Sequence, residues 1–312
     1  MATQAVIIDG DPGVDDAVAL FLAFAAPSDL EILAVTTVAG NVGAALTARN
    51  ARIVRQIAGR DDVAVYAGAQ SPLVRKPVAA DHFHGESGLG DLALFDPASP
   101  LADGHAANAI VSLVMARPAG AVSLAVMGPM TNVALAMTLE PAIVPRLARV
   151  VAMGGARSAG GNVTASAEYN IYADPHAAAV VLRSGAPVVM LGLDATHQVR
   201  ATAARMAALA ALSTPAARAS VELLSFCARM EQALAGSNHP PLHDPCTIAY
   251  LLAPELFVTR PCRIAVETAS PVTLGHTSVE FRLDEPAAAH VHWATEVDAD
   301  GVFALLTEHL AR

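Results

Sequence analysis

Four carboxylates crowd into eight residues near the start of the chain, in Asp9-Gly-Asp11-Pro-Gly-Val-Asp15-Asp16. Like charges this close repel one another, so a positive partner is expected among them. Pro12 and Gly13 demand a tight turn, which lets the four side chains converge instead of alternating along a strand. The ligands on offer are oxygens, with no His or Cys in the segment, and such a set suits Ca²⁺ or Mg²⁺ better than zinc. A helix N-terminus decorated with acids is the plainer explanation. It covers Asp15 or Asp16 but leaves Asp9 and Asp11 without a purpose. An EF-hand loop fails, because its bidentate glutamate would fall on Leu20.

Three further segments carry groups that could act beside such a cation. His239-Pro-Pro-Leu-His243-Asp244-Pro245 sets an imidazole next to a carboxylate, just ahead of a helix that Pro245 would start. Alone, this pair is more often a capped helix start than a site. Gly160-Gly-Asn162-Val-Thr-Ala-Ser-Ala-Glu168-Tyr-Asn170 holds three side chains able to donate to and accept from sugar hydroxyls; its plainer reading is a surface loop. His82-Phe-His84-Gly-Glu-Ser-Gly88 is a glycine-bounded polar loop, read equally as a mobile lid carrying His84 or as a solvated loop.

These segments need a frame. Short β-branched runs at 5–8, 31–38, 63–66, 122–127, 150–153, 187–193 and 263–267 read as strands. Helical patterns lie at 15–25, 44–58, 105–115, 132–139, 174–183, 216–235 and 245–252. Segments 278–283 and 290–295 read as an added pair of strands before a closing helix at 298–310. Such alternation predicts one α/β domain over residues 1–312, with a mostly parallel, mixed central sheet covered by helices on both faces. Asp9 and Asp11, Gly40-Asn41, Gly128 to Asn132, Gly154-Gly155 and Asp194 all follow strands. In a parallel sheet they share the carboxyl edge, where ligands bind.

Composition narrows the partners. A formal charge of -10 without a clustered basic footprint argues against nucleic acid. The longest apolar run, Ala17 to Pro27, is too short to span a bilayer, so no membrane partner is expected. Cys227, Cys246 and Cys262 suggest neither a disulfide framework nor a zinc knuckle. With no secretory signal pattern at the N-terminus, a cytoplasmic setting is expected. Apolar residues reach 54% and charged ones only 15%, which suits a large core and a subunit interface, hence a homo-oligomer, dimer or tetramer.

In order along the chain, the aspartate motif, Thr36-Thr-Val-Ala-Gly-Asn41, His84-Gly-Glu-Ser-Gly, Gly128-Pro-Met-Thr-Asn, Met153-Gly-Gly, Ala167-Glu168-Tyr-Asn170 with Asp174-Pro175, and His243-Asp244-Pro are similar to the motifs of the inosine-uridine-preferring nucleoside hydrolases. The resemblance runs from residue 5 to about 252. It implies a Rossmann-like nucleoside hydrolase fold and a Ca²⁺-dependent hydrolase that cleaves ribonucleosides to ribose and free base. By position, it implies Asp11, Asp16, Asp244 and the carbonyl of Met127 as calcium ligands. Asp11 would also be the general base. Asp15, Asn41, Asn162, Glu168 and Asn170 would hold the ribose and Met153 would lie against it. His84 and His243 would stand near the base, with His243 as general acid if its pKa is near neutrality. The residue types suit an oxocarbenium-like transition state, which calls for anions near the sugar and an activated water below it.

One departure stands out. Many members carry a tyrosine on the helix before the His-Asp pair, whereas Ser225 to Leu234 has none. Phe226, Arg229, Glu231 or Gln232 is left to replace it, and His243 leans the expectation toward pyrimidine-preferring or broad specificity. The alternatives are a purine-preferring hydrolase, an inactive nucleoside-binding homologue, and an aspartate-nucleophile phosphohydrolase. The last usually carries Thr or Val where this chain has Gly13.

Overall fold

Alternation along the first strand, β1 (Gln4–Gly10), divides the core in two. Val6 and Ile8 enter one apolar cluster, Ala5 and Ile7 the other, because successive side chains of a strand point to opposite faces. The computed structural model describes residues 3–312; Met1 and Ala2, ahead of the first expected strand, lie outside them. On one side of β1 lie β2 (Leu30–Thr37) and β3 (Val65–Ala67); on the other lie β4 (Val122–Val126), β5 (Leu147–Met153) and β6 (Val188–Leu191), all parallel. The sheet continues through β7 (Phe257–Val266), β8 (Thr277–Glu280) and β9 (Val291–Val297), in the order β3-β2-β1-β4-β5-β6-β9-β7-β8. β9 runs parallel to β6, and β7 is antiparallel to both β9 and β8. The expected mixed α/β sheet is the one observed.

The last two expected strands both form, and β7 runs between them. β7 starts at Phe257, earlier than expected, and works in two halves: Phe257–Cys262 pairs with β9 and Arg263–Val266 with β8. Pro261 is tolerated because it falls in the half paired on one side only. β6 in turn stops at Leu191, short of the expected 193. There Gly192 begins the short helix Leu193–Thr196, and a Cβ on Gly192 would lie 2.2 Å from the Trp293 ring.

The apolar run after the aspartates is a buried helix, Val14–Phe24, packed against helices Ala44–Ile57, Pro215–Ala235 and Pro245–Leu252. Coverage on all sides explains why it lacks a polar stripe. Among the described residues, no helix is long and apolar enough to cross a membrane.

The carboxyl ends of β1, β2, β4, β5 and β6 share one edge. Strand order reverses at β1, flanked by β2 and β4, and such a switch point opens a crevice for ligands. The aspartate turn leaves β1 at that point.

Candidate active site

Beyond Gly10 the chain turns through Asp11, Pro12 and Gly13 into the helix Val14–Phe24. Asp9, Asp11 and Asp16 are fully buried, and Asp15 is half-buried. Asp16 accepts the N–H groups of Asp11 at 3.2 Å and Gly13 at 3.0 Å, and the Asn41 side-chain amide at 3.0 Å. The Asn41 backbone N–H donates to Asp11 Oδ2 at 2.7 Å, while Asp11 Oδ1 is buried with no hydrogen-bond partner among the described residues. Two glycines make room for this carboxylate. A Cβ on Gly40 would lie 2.0 Å from Asp11 Oδ2, and one on Gly128 would lie 2.3 Å from Oδ1.

Asp9 plays a different part. Its Oδ1 accepts from Thr36 Oγ1 at 2.6 Å and from Asn132 Nδ2 at 2.8 Å, which ties β1 to the end of β2 and to the helix Thr131–Leu139 that follows β4. Asn132 completes the brace by donating to the Thr37 carbonyl at 3.0 Å and accepting the Ala69 N–H at 2.9 Å.

Asp244 comes from the far end of the sequence. It precedes Pro245 at the start of its helix, yet its side chain makes no capping hydrogen bond. The plainer reading of the His-Asp pair therefore fails at Asp244. Asp15, Asp16 and Asp244 each bring a carboxylate oxygen within 4.8 Å of the others, a group that could hold a metal ion. Asp11 stands outside this trio but within its field. Burial first, then repulsion from Asp16, raises the Asp11 carboxyl well above its ordinary range. Burial and then Asp15 do the same to Asp244 and bring Asp16 to about 7. Burial also raises Asp15, against the opposing effect of His243.

Asn170 joins the ends of β4 and β5. Its side-chain amide donates to the Met127 carbonyl at 2.8 Å and the Met153 carbonyl at 3.2 Å, and approaches Met153 Sδ at 3.5 Å. Glu168 caps the helix Tyr169–Ala173, accepting the N–H groups of Asn170 at 2.8 Å and Ile171 at 3.1 Å, and also that of Gly155 at 2.9 Å. Asn162, exposed, accepts the Tyr169 N–H at 2.9 Å. His84 is buried against the aspartate turn, where its Nδ1 accepts the Val14 N–H at 3.2 Å. A freely solvated loop is thus excluded for His84.

His243 is half-buried, with Nδ1 2.8 Å from Thr196 Oγ1 and its ring 5.6 Å from that of His197. Burial pushes its pKa down to about 4 despite the attraction of Asp15, so the condition set for a general acid, a near-neutral value, is not met and the ring is uncharged at neutral pH. The four residues left to replace the absent tyrosine separate. Phe226 packs on the loop of Gly85 and Gly90, where a Cβ on Gly90 would lie 2.6 Å from its ring. Arg229 pairs with Asp91 at the surface, and Gln232 is exposed. Glu231 pairs with Arg200 at 3.4 Å, and Arg200 in turn donates to the His239 carbonyl at 3.0 Å. Sequence reasoning missed Thr196, Thr36 and the contact made by Asn132. Thr36 lies near the end of β2, and Asn132 and Thr196 lie in the helices Thr131–Leu139 and Leu193–Thr196 that follow β4 and β6, so nearness to the carboxyl edge was the available signal.

The chain matches the family "Inosine-uridine preferring nucleoside hydrolase" over residues 6–304. It is 39% identical to the inosine-uridine preferring nucleoside hydrolase of Crithidia fasciculata, covering 98% of this chain and 97% of that protein. It is 41% identical to the pyrimidine-specific ribonucleoside hydrolase RihA of Salmonella gallinarum, again covering 98% and 97%. The solved purine-preferring ribonucleoside hydrolase from Gardnerella vaginalis superposes with a TM-score of 0.91 at 30% identity, covering 99% of each chain. With its carboxylates gathered at the switch point of the same fold, the chain belongs to the inosine-uridine preferring nucleoside hydrolase family, enzymes that hydrolyse the N-glycosidic bond of ribonucleosides.

Proposed function

We propose that this hydrolase is calcium-dependent, with Asp11, Asp16, Asp244 and the Met127 carbonyl as ligands and Asp11 as general base. The observation that carries the reading is the buried, unpartnered Asp11 Oδ1 beside a set of carboxyls whose pKa values are all raised. Carboxylate and carbonyl oxygens suit a hard divalent cation. When bound, Ca²⁺ orients a water and eases its deprotonation.

Asp11 would act as the general base, taking a proton from the attacking water as its oxygen bonds to C1′ of the ribose. The C1′–N bond breaks through an oxocarbenium-like transition state and its electron pair leaves with the base. Asp15, Asn41, Asn162, Glu168 and Asn170 hold the ribose hydroxyls, and Met153 supplies an apolar wall. His84 and His243 stand on the base side. His243, uncharged, donates a hydrogen bond to the base as negative charge builds there. Pyrimidine or broad specificity is the preferred form of the reading, supported by the pyrimidine-specific and inosine-uridine preferring relatives at about 40% identity. A purine preference is the alternative, supported by the purine-preferring structure.

The aspartate-nucleophile phosphohydrolase is disfavoured by Asp9. A nucleophilic first aspartate would have to face substrate, and here it is fully buried beneath Thr36 and Asn132. Uridine and inosine are expected to yield free base, and phosphomonoesters to yield no phosphate. Phosphate release without base release would contradict the proposal.

A pH signature follows from the same carboxyls. Asp9 and Asp16 move from an ordinary 3.8 to about 7 in the folded chain. A carboxyl raised by folding contributes stability below its unfolded pKa and loses that contribution as pH rises through the folded one. The calcium-free protein is therefore expected to lose thermal stability between pH about 4 and about 7. Added Ca²⁺ must displace protons, so its stabilising effect should grow over the same interval, reaching about 2.7 kcal/mol of unfolding free energy at a roughly hundredfold excess over Kd. Melting curves with Ca²⁺ and with chelator read this directly, and a calcium increment independent of pH would count against the ligand set.

A further inference from the structure

We propose that Thr196 is a positioning residue for His243: its hydroxyl holds the imidazole with Nδ1 turned inward, leaving Nε2 as the nitrogen that meets the departing base. This rests on the reading of His243 as the group facing the base. Thr196 is fully buried at the end of the helix Leu193–Thr196, and its Oγ1 stands 2.8 Å from Nδ1.

The contact is built into the backbone. The segment after Thr196 and the segment before His243 run side by side, bridged between Arg200 and Pro241. The Leu242 N–H donates to the Val199 carbonyl at 2.7 Å, and the Ala201 N–H donates to the Pro240 carbonyl at 2.9 Å. Arg200 adds its bond to the His239 carbonyl at 3.0 Å. These ties fix the distance between the two side chains, and the tilted His197 ring at 5.6 Å backs the imidazole.

The choice of a hydroxyl is chemically specific. A carboxylate at Nδ1 would hold a proton there and favour the imidazolium. A hydroxyl brings no charge and can donate as well as accept. By donating to Nδ1, Thr196 keeps the ring proton on Nε2, where the departing base can accept a hydrogen bond. Without the hydroxyl nothing at Nδ1 selects that tautomer, and a ring flip would put carbon where Nε2 stood. The sequence motif His243-Asp244 thus depends on a residue that no local pattern singled out.

The test compares T196V, which removes the hydroxyl at similar shape, with T196S, which keeps it. Turnover is read on uridine and inosine and on p-nitrophenyl riboside, whose leaving group needs no assistance. T196V is expected to lower kcat on the nucleosides by about 10- to 100-fold, with KM changed less than about twofold and the nitrophenyl riboside spared. T196S should recover kcat to within about threefold of wild type, since the hydrogen bond is retained. Wild-type kcat in T196V, an equal loss on the nitrophenyl riboside, or a T196S as impaired as T196V would overturn the proposal. If melting shows T196V unfolded, T196A is compared with T196S by the same criteria. Wild-type protein that releases no base from any nucleoside overturns the hydrolase reading and the proposal with it. Wild-type turnover that T196V leaves intact overturns the positioning role alone.

Discussion

Asp11→Ala is expected to abolish base release and calcium binding together. Removal of a general base alone costs about 10² to 10⁴ in rate, and loss of the ligand removes cation-assisted water activation as well, so turnover should fall to background. The structure explains why no neighbour takes over. Asp16 is engaged by three donors, the Asp11 and Gly13 backbones and the Asn41 amide. Asp9 is turned into its brace with Thr36 and Asn132. Asp11→Asn separates the two roles of the residue. It keeps an oxygen for the Asn41 N–H but lacks both the charge and the basic site, so calcium binding should weaken and turnover should vanish. Calorimetric titration with Ca²⁺ alongside base-release kinetics measures both. Unaltered calcium affinity in Asp11→Ala would remove it from the ligand set.

His243→Ala should act more selectively. On uridine and inosine, kcat is expected to fall about 10²- to 10³-fold, the range for a group that assists a leaving group in the transition state. On p-nitrophenyl riboside the change should be small, whereas Asp11→Ala should disable both substrate types, because water attack is common to them. The value of about 4 for His243 adds a condition. The ring is neutral over the working range, so a rate decline centred near pH 6.5, the ordinary histidine value, is not expected to arise from it. Equal losses on natural and activated substrates would exclude His243 from leaving-group assistance.

These effects trace to features unevenly visible in the sequence. The aspartate turn, Gly40-Asn41 and Gly128 were legible because strands of a parallel sheet deliver their carboxyl ends to one edge, and alternating strand and helix patterns announce such a sheet. Convergence of Asp244 on Asp15 and Asp16 is not legible from spacing, which says nothing about groups so far apart along the chain; the resemblance joined Asp244 to Asp16 and Asp11 and assigned Asp15 to the ribose instead. The value of the glycines was half visible. Their place after strands marks Gly40 and Gly128, but only packing shows that a Cβ at either would collide with Asp11.

Errors also have physical causes. Periodicity identifies a strand without naming its neighbour, so it marks β8 and β9 but not that β7 lies between them. Pro261 disguised the first half of β7, since proline argues against a strand until one learns that only one side is laddered there. Reading β6 through to 193 hid the short helix that carries Thr196, and with it the partner of His243. The absence of the tyrosine is plain in the sequence, but its four possible replacements are told apart by packing alone: Arg229 pairs with Asp91, Phe226 packs on Gly90, and Glu231 pairs with Arg200.

The most direct measurement is base release from uridine and inosine by chelator-treated protein before and after Ca²⁺ is restored. The account predicts free base and ribose in equal amounts, no turnover while the chelator is in excess, and recovery on adding Ca²⁺. Full turnover in the presence of excess chelator, or no base released from either nucleoside with Ca²⁺ supplied, would contradict it.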